Sequence, residues 1–335
     1  MLQKNLTPDH ANSKRKLIQG MAGAALLGAT GFGTAQTAPW PSRPIRLIVG
    51  FAPGTAPDVF ARLYGDYLSK RLAVPVVIDN KPGAGGNLAT DIVAKAPADG
   101  YTFLYALSTY FTVNPFIYSK LSYDPFKDLV PVATTIRQGL VLVANPVKVP
   151  SRNLKELMLV VKAKPGALSY GSYGAGSPSH LIMEWLKDET QSHILHIPYR
   201  TNPVLGPVSG EVEMLMEPIA TAIPFIASGR LKALAYSGAT RHPALPDVPT
   251  LSESVPGMNV TSWHGLWAAT GTPAALVSRL NADMISISRD PEVQQRINTF
   301  NVEPLGVTPS EMTAMVKRDS DIFSRVVKVR NIRVD

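Results

Sequence analysis

The sequence predicts an α/β fold with room for two domains, and three observations carry that expectation. From residue 45 onward, short β-branched runs alternate with stretches of helical periodicity. Two glycine-rich turns, FAPGTAPD at 51–58 and GSYGAGSPSH at 171–180, each join an apolar run to an amphipathic segment. The chain's 335 residues are enough for two cores of ordinary size. A hydrophobic content of 45% with 17% charged residues fits a globular chain and argues against disorder.

The first series of elements opens with IRLIVGF at 45–51, read as a strand. A helix over 58–72 follows, with Val59, Leu63, Tyr67 and Leu72 on or near one face. Next come a strand at 74–78, a helix at 87–96 after a glycine turn, and a strand at 101–106. The second series starts with GLVLVAN at 139–145 as a strand and LKELMLVVKA at 154–163 as a helix closed by Lys164-Pro165-Gly166. It continues through a strand at 168–172, a helix at 178–190, and strands at 193–199 and 212–217. A helix to about Ser228 and a strand at 231–237 end that series. WHGLWAAT at 263–270 then restarts a strand-and-helix pattern. Two final helices are announced by Thr272-Pro273 and by Thr308-Pro309-Ser310-Glu311, the latter a capping box with proline at the first helical position.

The N-terminus stands apart. Ser13-Lys14-Arg15-Lys16 precedes an apolar Gly/Ala-rich stretch from Leu17 to Phe32, then Gly33-Thr34-Ala35. That order is expected of a signal peptide over 1–35, cleaved after Ala35. SKRKLIQ also resembles a Lys-Arg variant of the twin-arginine signal, but lysine in its first position favours the general secretory route. No other run approaches the roughly 20 apolar residues of a membrane span. The chain has no cysteine, which excludes disulfides, thiol nucleophiles and a lipid-anchored cysteine. A soluble protein of the periplasm is expected. Losing Lys4, Lys14, Arg15, Lys16 and Asp9 with the signal lowers the net charge from +8 to +5. A mildly basic body suits an anionic ligand, and without a basic block interleaved with aromatics no nucleic-acid partner is expected.

The glycine turns are the chemistry-bearing feature. A strand that turns through glycine into a helix aims backbone N–H groups and the positive helix end outward, which suits an anion. Thr55 and Asp58 form a T-x-x-D pattern that assigns Asp58 to the helix N-terminus. Ser177-Pro178 reads as an N-cap followed by proline, and Ser172, Gly174, Gly176, Ser177 and Ser179 leave room for close approach to the backbone. Enzyme signatures fail by comparison. YGSYG at 170–174 carries Tyr where a nucleophile elbow needs Gly, and no glycine turn closes with Lys-Ser/Thr. His193 and His196 fall on opposite strand faces, so no metal site is expected, nor any cofactor.

Several motifs in order resemble the Bug proteins, solute receptors of tripartite tricarboxylate transporters. They are WPSRPIRLIVGFAPGTAPDVFAR at 40–62, NKPGAGGN at 80–87, DGYTF at 99–103, YGSYGAGSPSHL at 170–181 and HIPYR at 196–200. GRLKALA at 229–235, LPDVPTLSE at 245–253, the W-x-G of Trp263-His264-Gly265 and EPLGVTPSE at 303–311 continue the match over almost all of 40–335. The resemblance implies a two-domain periplasmic binding protein of the type II class, with domain 1 over 39–134 and 262–335 and domain 2 over 135–261. It implies a monomer that closes its interdomain cleft on a small carboxylate and delivers it to inner-membrane permease subunits, with no enzymatic activity. The alternatives are an orphan receptor presenting its ligand to a sensor protein and, more remotely, a secreted hydrolase or isomerase.

Carried onto this chain, the resemblance implies a first ligand loop of Ala52, Pro53, Gly54, Thr55, Ala56, Pro57 and Asp58, joined by Ser108 and Thr109. The second runs from Ser172 through Gly174, Gly176 and Ser177 to His180, and the loop at Tyr199 and Arg200 closes the cleft. The family commonly reads G-G-x-[ST]-D where this chain has Gly54-Thr55-Ala56-Pro57-Asp58, and Pro57 offers no backbone N–H. Thr201-Asn202 stand in place of the common glycine pair. Tyr110 and Phe111 follow Ser108-Thr109 and are expected to form an aromatic wall suited to a ligand with an apolar body.

Overall fold

The strand IRLIV, β1 (Ile45–Val49), is apolar enough to be buried on both faces, and a computed structural model places it inside a parallel array. The structure describes residues 40–199 and 202–334. The expected signal segment 1–35, Arg200 and Thr201 lie outside the described residues. From Arg43 onward the chain forms one compact unit.

β1 pairs in parallel with β2 (Val76–Asn80) and β3 (Thr102–Leu107). β2 starts two residues later than its sequence suggests. Pro75 has no N–H to give the ladder, but its carbonyl accepts from Ile45 N at 2.9 Å. Between β1 and β2 runs α1 (Ala56–Leu72), which begins two residues early because Pro57 is compatible with a first helical turn. A 3-10 turn and α2 (Asn87–Ala94) link β2 to β3, and two single-turn helices, α3 (Thr109–Thr112) and α4 (Asn114–Ile117), follow β3.

β4 (Leu129–Gln138) is a ten-residue strand that the sequence pattern does not announce. Pro131 interrupts its apolar alternation. The ladder absorbs that proline at a bulge, where Leu266 pairs with Ala133 but Trp267 pairs with Pro131. β4 carries residues 135–138, expected in the second domain, within the first sheet. That sheet has the order β11-β4-β10-β3-β1-β2, with β10 (Ser262–Ala269) antiparallel to both β3 and β4 and β11 being Glu303–Pro304.

The chain enters a second sheet through Gly139, where a Cβ would lie 2.3 Å from the Tyr236 ring. This sheet has the order β7-β6-β8-β5-β9, built from β5 (Leu140–Ala144), β6 (Ser169–Ser172), β7 (Leu195–Pro198), β8 (Met214–Pro218) and β9 (Lys232–Tyr236). Its helices are α5 (Leu154–Ala163), α6 (Pro178–Thr190), α7 (Leu205–Ser209) and α8 (Ile219–Ala227). The bounds of α5 and α6 are those the sequence predicts. Their caps explain this: Asn153 accepts from Glu156 N, and Ser177 from His180 N.

After β10 the chain forms α9 (Ala274–Arg289), α10 (Pro291–Asn298) and α11 (Pro309–Val329). α10 is an addition to the two expected helices, capped by Asp290 accepting from Glu292 N. α11 has the expected capping box and packs against β4, α3 and α4 on one side and α6 on the other. One apolar core of Leu142, Met216, Leu181 and Leu186 also takes in Ile117, Phe323 and Val326, so the C-terminal helix is shared between the two sheets.

Candidate functional site

Both glycine turns open onto one cleft of about 530 Å³, walled by residues that follow strands of each sheet. At the first turn Gly54 adopts φ 82°, a left-handed conformation that favours glycine. Its N–H donates to Asp58 Oδ2 at 2.9 Å. Arg62 Nε and Asn80 Nδ2 donate to the same carboxylate at 3.0 and 2.8 Å. Burial pushes the Asp58 pKa up, but the hydrogen bonds from Arg62, Gly54 and Asn80 outweigh it and hold the group below its ordinary value. Asp58 is thus a buried pin under the turn, not a residue facing the ligand space. The T-x-x-D pattern works differently from a capping box. Thr55 makes no side-chain cap, and its hydroxyl donates instead to Ala52 O at 2.7 Å. Gly54, Thr55, Ala56 and Pro57 line the cleft, whereas Ala52 and Pro53 are exposed outside it.

The second turn is pinned in the same way. Ser172, fully buried, accepts from Gly174 N at 3.0 Å and is hydrogen-bonded to His196 Nε2 at 2.6 Å. His180 Nδ1 accepts from Gly176 N at 3.1 Å, and its ring stacks on His196 with centroids 4.1 Å apart. Burial, aided by His196, lowers the His180 pKa to about 4, so the ring stays neutral and keeps accepting at neutral pH. Ser172, Gly174 and His180 lie behind the loop, while Ala175, Gly176, Ser177, Pro178 and Ser179 face the cleft. The N–H groups of Gly54, Gly174 and Gly176 are therefore spent inside their own loops. What remains for an anion is the first turn of each helix, apart from Pro57 and Pro178, which carry no N–H, and His180 N, which is bonded to Ser177. Ser172 and His196 have the spacing of a nucleophile and base, but Ser172 has no exposed surface and does not line the cleft.

Ser177 sets the direction of the α6 N-terminus. Its Oγ accepts from His180 N at 3.4 Å and donates to Gly174 O at 2.7 Å. Given that long cap bond, Ser177→Ala is expected to cost about 0.5–1 kcal/mol of stability and to weaken ligand binding by loosening the loop. Thermal melts and ligand titrations of the variant check both, and an unchanged melting temperature would remove the cap from the account.

A third helix N-terminus joins these two. β8 ends at Pro218 and α8 begins at Ile219, and Pro218, Ala220 and Thr221 line the cleft. The sequence gives little sign of it, because this strand-to-helix junction contains no glycine. Beneath it sits Glu217, with no exposed surface. Its Oε1 accepts from Tyr173 Oη at 2.8 Å and from Thr221 Oγ1, while Oε2 is buried with no partner among the described residues. Burial pushes the Glu217 pKa up to about 7 against the pull of those two bonds.

The aromatic wall is partly corrected. Tyr110 lines the cleft and stacks on Phe51 with centroids 6.1 Å apart, its hydroxyl lodged in a niche formed by Gly50 and Gly86. Phe111 turns the other way, fully buried and stacked on Trp267 at 3.6 Å. Successive residues of one helical turn point about 100° apart, so α3 cannot present both rings to one side. Tyr118 and Tyr173 complete the wall. Thr109 lines the cleft as expected, but Ser108 is buried beside it, donating its N–H to Trp263 O. Tyr199 packs its ring over Gly171 and Gly206 instead of closing the cleft, and Arg200 lies outside the described residues. Asn202 lines the cleft in their place, and so do Gln138, Ser262 and His264, which sequence reasoning did not select.

None of the described lining residues is lysine or arginine. Among the described residues no group of His, Asp and Glu side chains converges as metal ligands would.

A family model described as "Tripartite tricarboxylate transporter family receptor" matches residues 60–332. The chain belongs to this receptor family. The receptor is 32% identical to the protein BugT of Bordetella pertussis over 86% of this chain and 90% of that one. Its fold is similar to that of R. palustris Rpa4515, solved with adipate, at a TM-score of 0.79 and 31% identity, covering 88% of this chain and 99% of that one. MatC from Rhodopseudomonas palustris, solved with bound malate, gives a TM-score of 0.74 at 29% identity, covering 86% of the receptor and 100% of MatC. The mixed α/β architecture with two sheets is that of the periplasmic binding proteins, as the sequence predicts.

Proposed function

We propose that this receptor captures a small carboxylate in its cleft in the periplasm and passes it, unchanged, to the permease of a tripartite tricarboxylate transporter. The observation that carries this reading is the convergence of three helix N-termini, α1, α6 and α8, on a cleft whose described lining holds no cationic side chain. Each helix end favours an anion by roughly 0.3–1 kcal/mol, and up to ~2 when partly buried. Adipate in one similar structure and malate in another are carboxylates of the size such a cleft takes. Phe51, Tyr110, Ile117 and Tyr173 between the helix ends favour a carboxylate with an apolar body over a compact polyanion.

In this reading the six-stranded sheet belongs to one lobe and the five-stranded sheet to the other. The chain crosses between them at Gly139 and again between β9 and β10, and hinge closure at these crossings covers the ligand. The expected signal peptide would bring the chain to the periplasm.

A thermal-shift panel tests the reading. Mono- or dicarboxylates should raise the melting temperature, with ~2.7 kcal/mol of stabilisation at a concentration of 100 times the dissociation constant. Neutral sugars and cationic amines should leave it unchanged. A neutral sugar as the best ligand would remove the anion argument, and conversion of a bound acid to product would remove the receptor reading.

A further inference from the structure

The cleft holds a second polar surface that no helix end accounts for. β10 and β4 run antiparallel, with Ser262 opposite Gln138 and His264 opposite Ile136. Strand alternation puts Ser262 and His264 on one face, beside Gln138 across the ladder. All three line the cleft. Each also carries a buried polar atom with no partner among the described residues: Gln138 Oε1, Ser262 Oγ and His264 Nε2. Buried polar atoms are nearly always paired, so three orphans side by side in one cleft mark groups that await a partner.

The hydrogen bonds behind His264 assign its tautomer. Thr135 Oγ1 donates its single proton to His264 O at 3.3 Å. The 2.9 Å contact between Tyr105 Oη and Thr135 Oγ1 must then be donated by Tyr105. Its proton being spent, the 3.4 Å contact between Tyr105 Oη and His264 Nδ1 is left for Nδ1–H to donate. Full burial lowers the His264 pKa to about 3, so the ring is neutral, and a neutral ring protonated at Nδ1 presents a bare Nε2. The surface thus offers two acceptors, Nε2 and Gln138 Oε1, flanking a hydroxyl.

We propose that Gln138, Ser262 and His264 form a subsite that accepts a hydrogen bond from a hydroxyl on the ligand's body, so that the receptor selects hydroxy-substituted monocarboxylates. This rests on the carboxylate reading above and extends it. The acid group sits on the helix N-termini, and the hydroxyl satisfies the acceptors on the first sheet. An ionised second carboxylate has no proton to give: the Ser262 hydroxyl and a turned Gln138 amide can donate to it, but His264 Nε2 is left unpaired, so a dicarboxylate of the same length is discriminated against.

Calorimetric titration of matched acids tests this: hexanoate, 6-hydroxyhexanoate and adipate, with 3-phenylpropanoate and 3-(4-hydroxyphenyl)propanoate as an aromatic pair. In at least one set the hydroxy acid should bind ten-fold or more tighter than its parent, and tighter than the dicarboxylate where one is included. The advantage should shrink in Gln138→Leu and fall below two-fold in Gln138→Leu/His264→Phe, each first shown to melt cooperatively. Equal affinity of hydroxylated and parent acids in every set overturns the subsite, as does a preference that survives both variants. Failure of the carboxylate reading looks different, since no acid of any kind would then bind, and the subsite would fall with it.

Discussion

Replacing Glu184 by alanine should cost this receptor about 3–5 kcal/mol, the penalty of leaving a buried charge without its counter-charge. Glu184 lies on α6, 5% exposed, and accepts from Tyr170 Oη at 2.6 Å, Lys187 Nζ at 2.5 Å and Arg330 Nε at 2.7 Å. Burial pushes its pKa up, but the bonds from Lys187, Tyr170 and Arg330 prevail and bring it to about 2. A carboxyl depressed in this way contributes stability that is complete above its ordinary value of 4.5 and is lost as pH falls toward 2. Lys187 is itself 6% exposed, so removing the carboxylate strands an ammonium in the core. Arg330 closes the C-terminus of α11, so the same substitution frees the helix that both sheets share. Replacing Glu184 and Lys187 together by leucine should recover much of the loss, because the apolar pair removes the buried ammonium and leaves only Arg330, whose side chain is 26% exposed, without its counter-charge. Urea denaturation of wild type and both variants at pH 7 checks this. A double variant no more stable than Glu184→Ala would show that the ion pair is not the reason for the cost.

Much of the fold was legible because local signals agreed with tertiary ones. α5 and α6 kept their predicted bounds since their N-caps, Asn153 and Ser177, sit directly before the apolar periodicity. β4 was not legible because Pro131 breaks its alternation, and only pairing with β10 shows that a bulge absorbs the proline. α10 had a readable signal in Asp290-Pro291 that the chain's two stronger Thr-Pro starts overshadowed. At the site, the glycine turns were visible but the fate of their N–H groups was not. Gly176 is consumed by His180 within its own segment, whereas the pin under Gly54 also needs Asn80 from the next strand. Gln138, Ser262 and His264 become neighbours only through antiparallel pairing of segments distant in sequence, which no local pattern encodes.

Glu217→Gln should flatten the pH dependence of stability and make the receptor more stable than wild type in mild alkali. Elements packed against Glu217 bring it only hydroxyls and apolar groups among the described residues: Tyr173 and Thr221 donate to it, and Val141 of β5 lies opposite it. With no cation to offset burial, its pKa stands at about 7 against an ordinary 4.5. A carboxyl whose folded pKa is raised contributes stability that is complete below 4.5 and is lost as pH rises through 7. At 1.36 kcal/mol per unit, that window amounts to about 3 kcal/mol. Glutamine keeps an acceptor for Tyr173 and Thr221 and carries no titrating proton, so the variant avoids the loss. His180 and His264, whose pKa values burial lowers, act with the opposite slope between pH 4 and 6.5, but they titrate equally in both proteins and cancel in the difference. Ligand binding should follow the same residue. An anion on the α8 N-terminus, beside Glu217, raises its pKa further, so wild type should bind carboxylates more tightly at pH 6 than at pH 8, and the variant equally at both. Denaturation series from pH 5 to 8.5 decide the matter: curves that diverge by about 3 kcal/mol toward high pH are expected, and parallel curves would show that Glu217 is ionised throughout.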